Sequence, residues 1–152
     1  DGGYTMYYTA LDSAGAGVGI GRATSPDGIT WTKYNNVSTG KPYAESDPIL
    51  TPDKSYDAIQ IWRSYVKKTA TGWEMLYTGS PAPGPNSAIC YATSPDGIHW
   101  TKFEGNPVTE APSYDPTFLV KDSTCFLYYD KGGSWLHTTL CLATGAKPPF
   151  AP

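Results

Sequence analysis

The side chains with the most chemical capacity in this sequence gather around two copies of one triplet. Ser-Tyr-Asp occurs at residues 55–57 and again at 113–115, and each copy opens a run that closes on a Val-Lys step. Asp57 and Asp115 read as matching carboxylates where two strands begin. Such a carboxylate can accept backbone N–H groups in a turn, or it can accept ligand hydroxyls and take part in proton transfer. The repetition itself favours the turn role, since one reaction has little use for two equivalent copies. Trp62 and Arg63 follow Asp57. Arginine offers a planar fork of donors and tryptophan a flat face on which a ring can stack; packing between repeated units is the alternative. Tyr56 and Tyr114 stand beside the two carboxylates, and Asp47, in "ESDP", is a third acidic candidate.

The rest of the composition narrows the chemistry. The chain has 152 residues, a net charge of −3 and only 16% charged residues, with no basic run, which argues against a nucleic-acid surface. No apolar run approaches the roughly 18 residues of a membrane-spanning helix. Three cysteines, Cys90, Cys125 and Cys141, are too few and too odd for a disulfide framework. Buried free thiols are expected, with a cross-strand Cys125–Cys141 bridge as the alternative. No Cys or His spacing fits a metal site, His99 and His137 read as isolated surface or core-edge residues, and nothing calls for a cofactor. "NVS" at residues 36–38 matches an N-glycosylation acceptor triplet. The chain opens on Asp1 rather than Met, as a processed or excised product does.

The elements that must position these residues come from a repeat. "ATSPDGITW" at residues 23–31 returns as "ATSPDGIHW" at 92–100, with eight of nine letters kept. It lies inside a longer unit: an aromatic alternating strand, a Gly/Pro-rich loop, a second strand ending in Ala-Thr, a turn and an outer strand. Asp27-Gly28 and Asp96-Gly97 are turn dipeptides, because glycine accepts positive φ without a Cβ penalty. Pro26 and Pro95 pre-set the turn, and Trp31 and Trp100 supply apolar anchors. The stretch is read as a structural staple, not a catalytic loop. The twelve tyrosines mostly recur with the strands and read as packing residues.

Strands are expected near residues 4–10, 17–24, 58–67, 73–79, 87–93, 116–121, 125–130 and 136–143, with no substantial helix. Four-stranded antiparallel units repeated along a chain are the blades of a β-propeller. The fold class is all-β, a single partial propeller domain over 1–152. Its blade units fall at about 1–40, 41–108 and 109–152, or two and a half to three blades. Open sheet edges at both ends invite pairing, so the chain is either a stretch of a longer propeller, whose remaining blades are its partners, or a homo-oligomer that closes the ring.

With "DPILTPDKSYDAIQIWRSYVKKTATGWEMLYTGS" and "ICYATSPDGIHWTKF" in view, the chain resembles the five-bladed β-propeller glycosidases of the arabinanase, β-xylosidase and invertase type. The resemblance runs over nearly the whole chain and is specific for fold rather than reaction. It implies a carbohydrate partner at an axial funnel, an extracellular or periplasmic location, and inner-strand carboxylates that do the chemistry. Glycoside hydrolysis needs two carboxyl groups across the scissile bond, one raised in pKa to donate a proton. On the inner strands those are Asp57 and Asp115, with Trp62, Arg63, Tyr56, Tyr114 and Asp47 as substrate-binding candidates and no metal. Glu74 falls on a second strand, and Glu45, Glu104 and Glu110 on connections, so no Glu general acid is visible. That leaves two readings: glycan recognition or hydrolysis at the funnel, or a non-catalytic binding and assembly module that self-associates through open blade edges.

Overall fold

The computed structural model describes residues 2–11, 17–36, 46–134 and 137–146. Eleven strands run through them in three antiparallel sheets, with no helix among the described residues. The first sheet holds β1 (Tyr4–Leu11), β2 (Gly17–Ser25) and, along the far side of β2, the short β3 (Thr32–Lys33) and β4 (Pro48–Leu50). The second is the complete blade, in the order β5 (Gln60–Thr69), β6 (Gly72–Ser80), β7 (Ala88–Ser94), β8 (Thr101–Lys102). The third is β9 (Ser113–Lys121), β10 (Thr124–Ser134), β11 (His137–Ala146). This is a β-propeller of four-stranded blades: one whole, one without its inner strand and one without its outer strand.

The eight expected strands are all present, with ends moved by a few residues. β4 is an addition to them, and the outer strands β3 and β8 shrink to two residues each. In the second blade the free edge of β7 is satisfied by irregular chain instead. Phe103 N donates to Tyr91 O at 2.9 Å and Val108 N to Ile89 O at 2.8 Å. Between them the Asn106 amide imitates a strand, accepting from Tyr91 N at 2.8 Å and donating to Tyr91 O at 2.9 Å. A side-chain amide carries both a donor and an acceptor, so it can replace one rung of a ladder.

Register relates the sheets position by position. Tyr4 pairs with Ser25 in the first sheet and Trp73 with Ser94 in the second, so equivalent residues there lie 69 apart. Thr69 faces Gly72 across one hairpin and Lys121 faces Thr124 across the next, an offset of 52 between the second and third sheets. The core sits at the two boundaries between sheets. Ile20 and Leu50 meet Ile61, Met75, Tyr77, Cys90 and Ala92 at the first. Leu76, Ile89 and Tyr91 meet Phe118, Cys125 and Leu127 at the second. The middle blade is covered on both faces, and all of β6 from Glu74 to Ser80 is buried. The three cysteines are free thiols, Cys141 facing Tyr129 and Cys125 facing Gly145 across β10–β11. Burial pushes the Cys90 thiol up to about 12.

The repeated "SPDG" segments are loops of one design. Ser25 Oγ accepts from Gly28 N at 2.8 Å, and Asp27 Oδ1 accepts from Ile29 N and Thr30 N at 2.8 Å each. Ser94 and Asp96 do the same for Gly97, Ile98 and His99. Gly28 and Gly97 have φ of 77° and 78°. The turn is wider than a tight hairpin, because strand pairing stops at Thr24–Thr32 and Thr93–Thr101. Side-chain acceptors, rather than a two-residue turn, close it. Of the glycosylation triplet, Val37 and Ser38 lie outside the described residues; Asn36 is exposed.

Candidate functional site

The site begins with two irregularities in the inner strands. Ladder pairing between β5 and β6 is regular through Trp62–Thr78 and resumes at Tyr65–Leu76, so Arg63 and Ser64 together oppose Tyr77. Between β9 and β10 it is regular through Tyr114–Asp130 and resumes at Thr117–Tyr128, so Asp115 and Pro116 oppose Tyr129. Each is a β-bulge, and the residue at its head is left-handed: φ is 53° at Arg63 and 52° at Asp115. A non-glycine residue adopts that conformation rarely, and bulges re-aim side chains where they occur. Here both bulges turn a charged side chain toward the same place.

The equivalence of the two Asp residues expected from the Ser-Tyr-Asp triplets does not hold. With an offset of 52, Asp115 corresponds to Arg63, not to Asp57. Strand position is counted from the hairpin at the other end of the strand, and the first triplet lies six residues too early in that count. Opposite charges at one structural position of neighbouring blades then pair across the boundary: Arg63 Nη1 donates to Asp115 Oδ2. The Arg63 N–H donates to Thr9 Oγ1 of the first sheet at 3.0 Å, tying its bulge to the preceding blade. The Arg63 guanidinium lies 5.3 Å from the centre of the Trp62 ring, within cation–π range.

Beside this pair lies a cavity of about 490 Å³. Its wall includes Trp62, Arg63, Tyr114, Asp115, Asp130 and Gln60, and the β6–β7 loop from Ala82 to Pro85 forms one side. Four expected site residues thus converge: Trp62, Arg63, Tyr114 and Asp115. Both charged side chains remain in touch with solvent, Arg63 at 28% and Asp115 at 43% exposure. A flat aromatic wall, a donor fork and acidic acceptors are the ingredients of a site for a polar, ring-shaped ligand.

The other expected residues lie elsewhere. Asp57 is fully buried. Its Oδ1 accepts from Asp53 N and Lys54 N at 3.1 and 2.9 Å. Its Oδ2 accepts from Tyr77 Oη at 3.1 Å and pairs with Lys102 Nζ at 2.6 Å. Lys102 also reaches Asp53 at 2.5 Å and Thr51 O at 2.8 Å. Lys102 holds the Asp53 carboxyl below its ordinary range, and burial pushes the Tyr77 hydroxyl far up. With every oxygen occupied and no exposed surface, Asp57 is a turn and core anchor. Tyr56 packs half-buried against the first core, its hydroxyl 3.4 Å from Asn106 Nδ2. Asp47 is buried and accepts from the Asn36 backbone. Neither Tyr56 nor Asp47 lines the cavity.

Asp130 is the cavity residue that sequence reasoning missed. It occupies the position of Thr9 and Thr78 in the other two sheets. Aligning "YYT", "LYT" and "YYD" at the ends of the three aromatic runs exposes it as the one carboxylate in a column of hydroxyls. Glu74 sits at the opposite end of β6 from the cavity-lining Ser80. Among the described residues, no group of three or more metal-ligating side chains occurs and no helix is long and apolar enough to cross a membrane.

No family model and no curated protein matches the sequence. Solved structures do match in shape. The complex of BT0996 with RGII has a TM-score of 0.73 at 17% identity, over 95% of this protein and 47% of that one. Zg3597, a family 117 glycoside hydrolase of Zobellia galactanivorans, has 0.68 at 16% identity, over 99% and 51%. The family 32 β-fructofuranosidase BmSUC1 of Bombyx mori has 0.68 at 13% identity, over 96% and 32%. The protein spans about half the length, or less, of these structures. The blades, their order and the shape of the stack thus give it the β-propeller fold that glycoside hydrolases build.

Proposed function

We propose that the protein binds carbohydrate in the cavity between its second and third blades. One observation carries this reading: two equivalent bulges bring Arg63 and Asp115 together beside Trp62, Tyr114 and Asp130 on a single wall. An Arg–Asp pair offers donors and acceptors side by side, as two neighbouring hydroxyls on a ring require. The aromatic residues offer apolar faces for the C–H side of the same ring. Similarity in shape to glycoside hydrolases supports a sugar as the ring. Hydrolysis would need two carboxyl groups facing one another across about 5–9.5 Å of substrate; Asp115 and Asp130 are the carboxylates on the cavity wall.

Binding and turnover are separable by experiment. Calorimetry with a fructofuranoside and with RGII tests the ligand types named for structures of similar shape. Asp115→Ala and Arg63→Ala should abolish whatever binding the wild type shows while leaving the circular dichroism spectrum unchanged. Product release that disappears in Asp115→Asn or Asp130→Asn would make the protein a hydrolase. Binding that survives both Asp115→Ala and Arg63→Ala overturns this site.

A further inference from the structure

Hydrogen-bonding capacity is unevenly spread around the cavity. On one side Arg63 and Asp115 carry donors and acceptors that remain in touch with solvent. Another side is the loop between β6 and β7, and its polar groups are turned on the protein itself. Pro81, Pro83 and Pro85 have no N–H to donate. The Ser80 carbonyl accepts from Ile59 N at 3.1 Å, and the Ser87 carbonyl from Ser113 N at 2.9 Å. The Pro83 carbonyl accepts from Asn86 Nδ2 at 2.9 Å, and the Gly84 carbonyl from Asn86 N at 2.8 Å. The Ser80 and Ser87 hydroxyls are buried and bond each other at 2.5 Å. Between those two serines the cavity is lined by Ala82, Pro83, Gly84 and Pro85, whose side chains carry no polar atom.

The loop is also built to keep this shape. Each proline fixes its own φ. Gly84 takes a φ of 97°, which is open to glycine and strained for other residues. Asn86 clasps the turn with its backbone and its side chain together. A ligand hydroxyl set against this side would leave water for side chains that offer it no hydrogen bond, and that costs affinity. A methyl group in the same place leaves water favourably and gains contact.

We propose that the cavity selects a 6-deoxyhexose. Neighbouring ring hydroxyls meet the Arg63–Asp115 pair, and the C-methyl group, which stands where an ordinary hexose has a hydroxymethyl, lies against Ala82, Pro83 and Pro85. The inference rests on the carbohydrate reading and narrows it to one class of sugar. It makes the three loop residues the determinants of specificity and leaves recognition of the ring to the two bulges. Every group it uses belongs to the second blade or to its boundary with the third.

Calorimetry with matched pairs tests it: methyl fucoside against methyl galactoside, and methyl rhamnoside against methyl mannoside. Within each pair the configuration is the same and only the C6 hydroxyl differs. In the pair that binds more tightly, the deoxy member should be favoured about 10- to 100-fold, the range in which an apolar pocket rejects an added hydroxyl. Ala82→Ser puts a hydroxyl on that side of the cavity and should shrink the ratio by tightening the hydroxylated member. Should its circular dichroism spectrum change, Pro83→Ser, at an exposed position, takes its place. Equal affinities within both pairs, or a preference for the hydroxylated sugar, overturn the inference and leave the carbohydrate reading standing. So does a ratio that the serine variant leaves unchanged, since the preference would then arise elsewhere. If none of the four glycosides binds while the fructofuranoside or RGII does, this inference alone falls; if no carbohydrate binds, both readings fall.

Discussion

Two Ser-Tyr-Asp triplets with identical letters end in opposite circumstances. Asp57 lies fully buried beneath the second blade, locked to Lys102, Tyr77 and two backbone N–H groups. Asp115 lies on a bulge, half open to a cavity and paired with the arginine of the neighbouring blade. The triplet specifies neither fate. What differs is the distance along the chain to the β-hairpin that follows. From Asp115 the count to the hairpin puts the carboxylate at the bulge, and from Asp57 it puts the carboxylate before the strand has begun. A motif match is therefore a statement about letters until strand register is known.

The largest effect should come from the buried member. Asp57→Ala leaves the Lys102 ammonium, 6% exposed, without its buried partner. Breaking a buried pair from one side costs about 3–5 kcal/mol, and urea unfolding of Asp57→Ala should show a loss of that order. Combining Asp57→Leu with Lys102→Met should recover part of it but not all, because the Asp53 and Lys54 N–H groups and the Tyr77 hydroxyl still lose an acceptor. If Asp57→Ala unfolds with wild-type stability yet loses ligand, the buried role is wrong and a catalytic role for Asp57 returns.

The two "SPDG" loops sharpen the same lesson. Their local hydrogen bonds agree atom for atom, and both glycines are left-handed. Their surroundings differ. A Cβ on Gly97 would meet the Tyr7 hydroxyl at 2.5 Å and the Trp73 ring at 3.2 Å, whereas one on Gly28 would find Tyr4 at a comfortable 3.5 Å. Tyr7 Oη also donates to Gly97 O at 3.1 Å, and the Tyr7 ring packs edge-on to Trp73 and Trp100 with centroids 6.0 and 6.1 Å apart. Gly28→Val should cost about 1–3 kcal/mol, from backbone strain alone. Gly97→Val should cost clearly more, because it also opens the first boundary. Thermal unfolding of the pair decides this; equal losses would mean that the boundary contact contributes nothing.

A smaller effect on stability is expected from the exposed pair. Asp115→Ala should change unfolding free energy by less than about 1 kcal/mol, as partly solvated ion pairs do, while removing ligand binding. That outcome would complete the contrast with Asp57. A loss as large as that of Asp57→Ala would make Asp115 a structural residue too.

The smallest effect is a pH dependence. Backbone N–H groups of Thr30 and Ile29 hold the Asp27 carboxyl at about 2, below its ordinary 3.8. A carboxyl depressed by folding stabilises the folded state above its unfolded pKa and loses that contribution as pH falls through its folded one. The contribution should therefore be present above about pH 4 and fade toward about pH 2. NMR titration of the Asp27 carboxyl should find its midpoint near 2, and Asp27→Ala should flatten the acid limb of the stability curve. A midpoint at the ordinary value would show that the loop is not held in solution.

Much of this was legible in the letters. Alternation of aromatic and polar residues from Tyr4 to Thr9 and from Trp73 to Thr78 fixes which side chains share a face, because strand period is two whatever the context. Glycine after Asp at residues 28 and 97 announces positive φ, because a Cβ would be strained there. Repetition of the whole unit implies blades, since one such sheet cannot cover its own apolar faces. Local chemistry decides each of these, and sequence order is local chemistry. Trp62, Arg63, Tyr114 and Asp115 could be named for the same reason: their types limit what they can do. The tertiary structure alone decided which of them meet. The bulges at Arg63 and Asp115 shift register by one residue, and a shift of one residue sends a side chain to the other face. Arg63 and Asp115 stand 52 residues apart and pair only because two blades pack side by side; Asp57 was removed from the site, and Asp130 brought to it, by where hairpins end. Period and propensity belong to neighbours along the chain, whereas a site between two blades belongs to the count of residues in each strand.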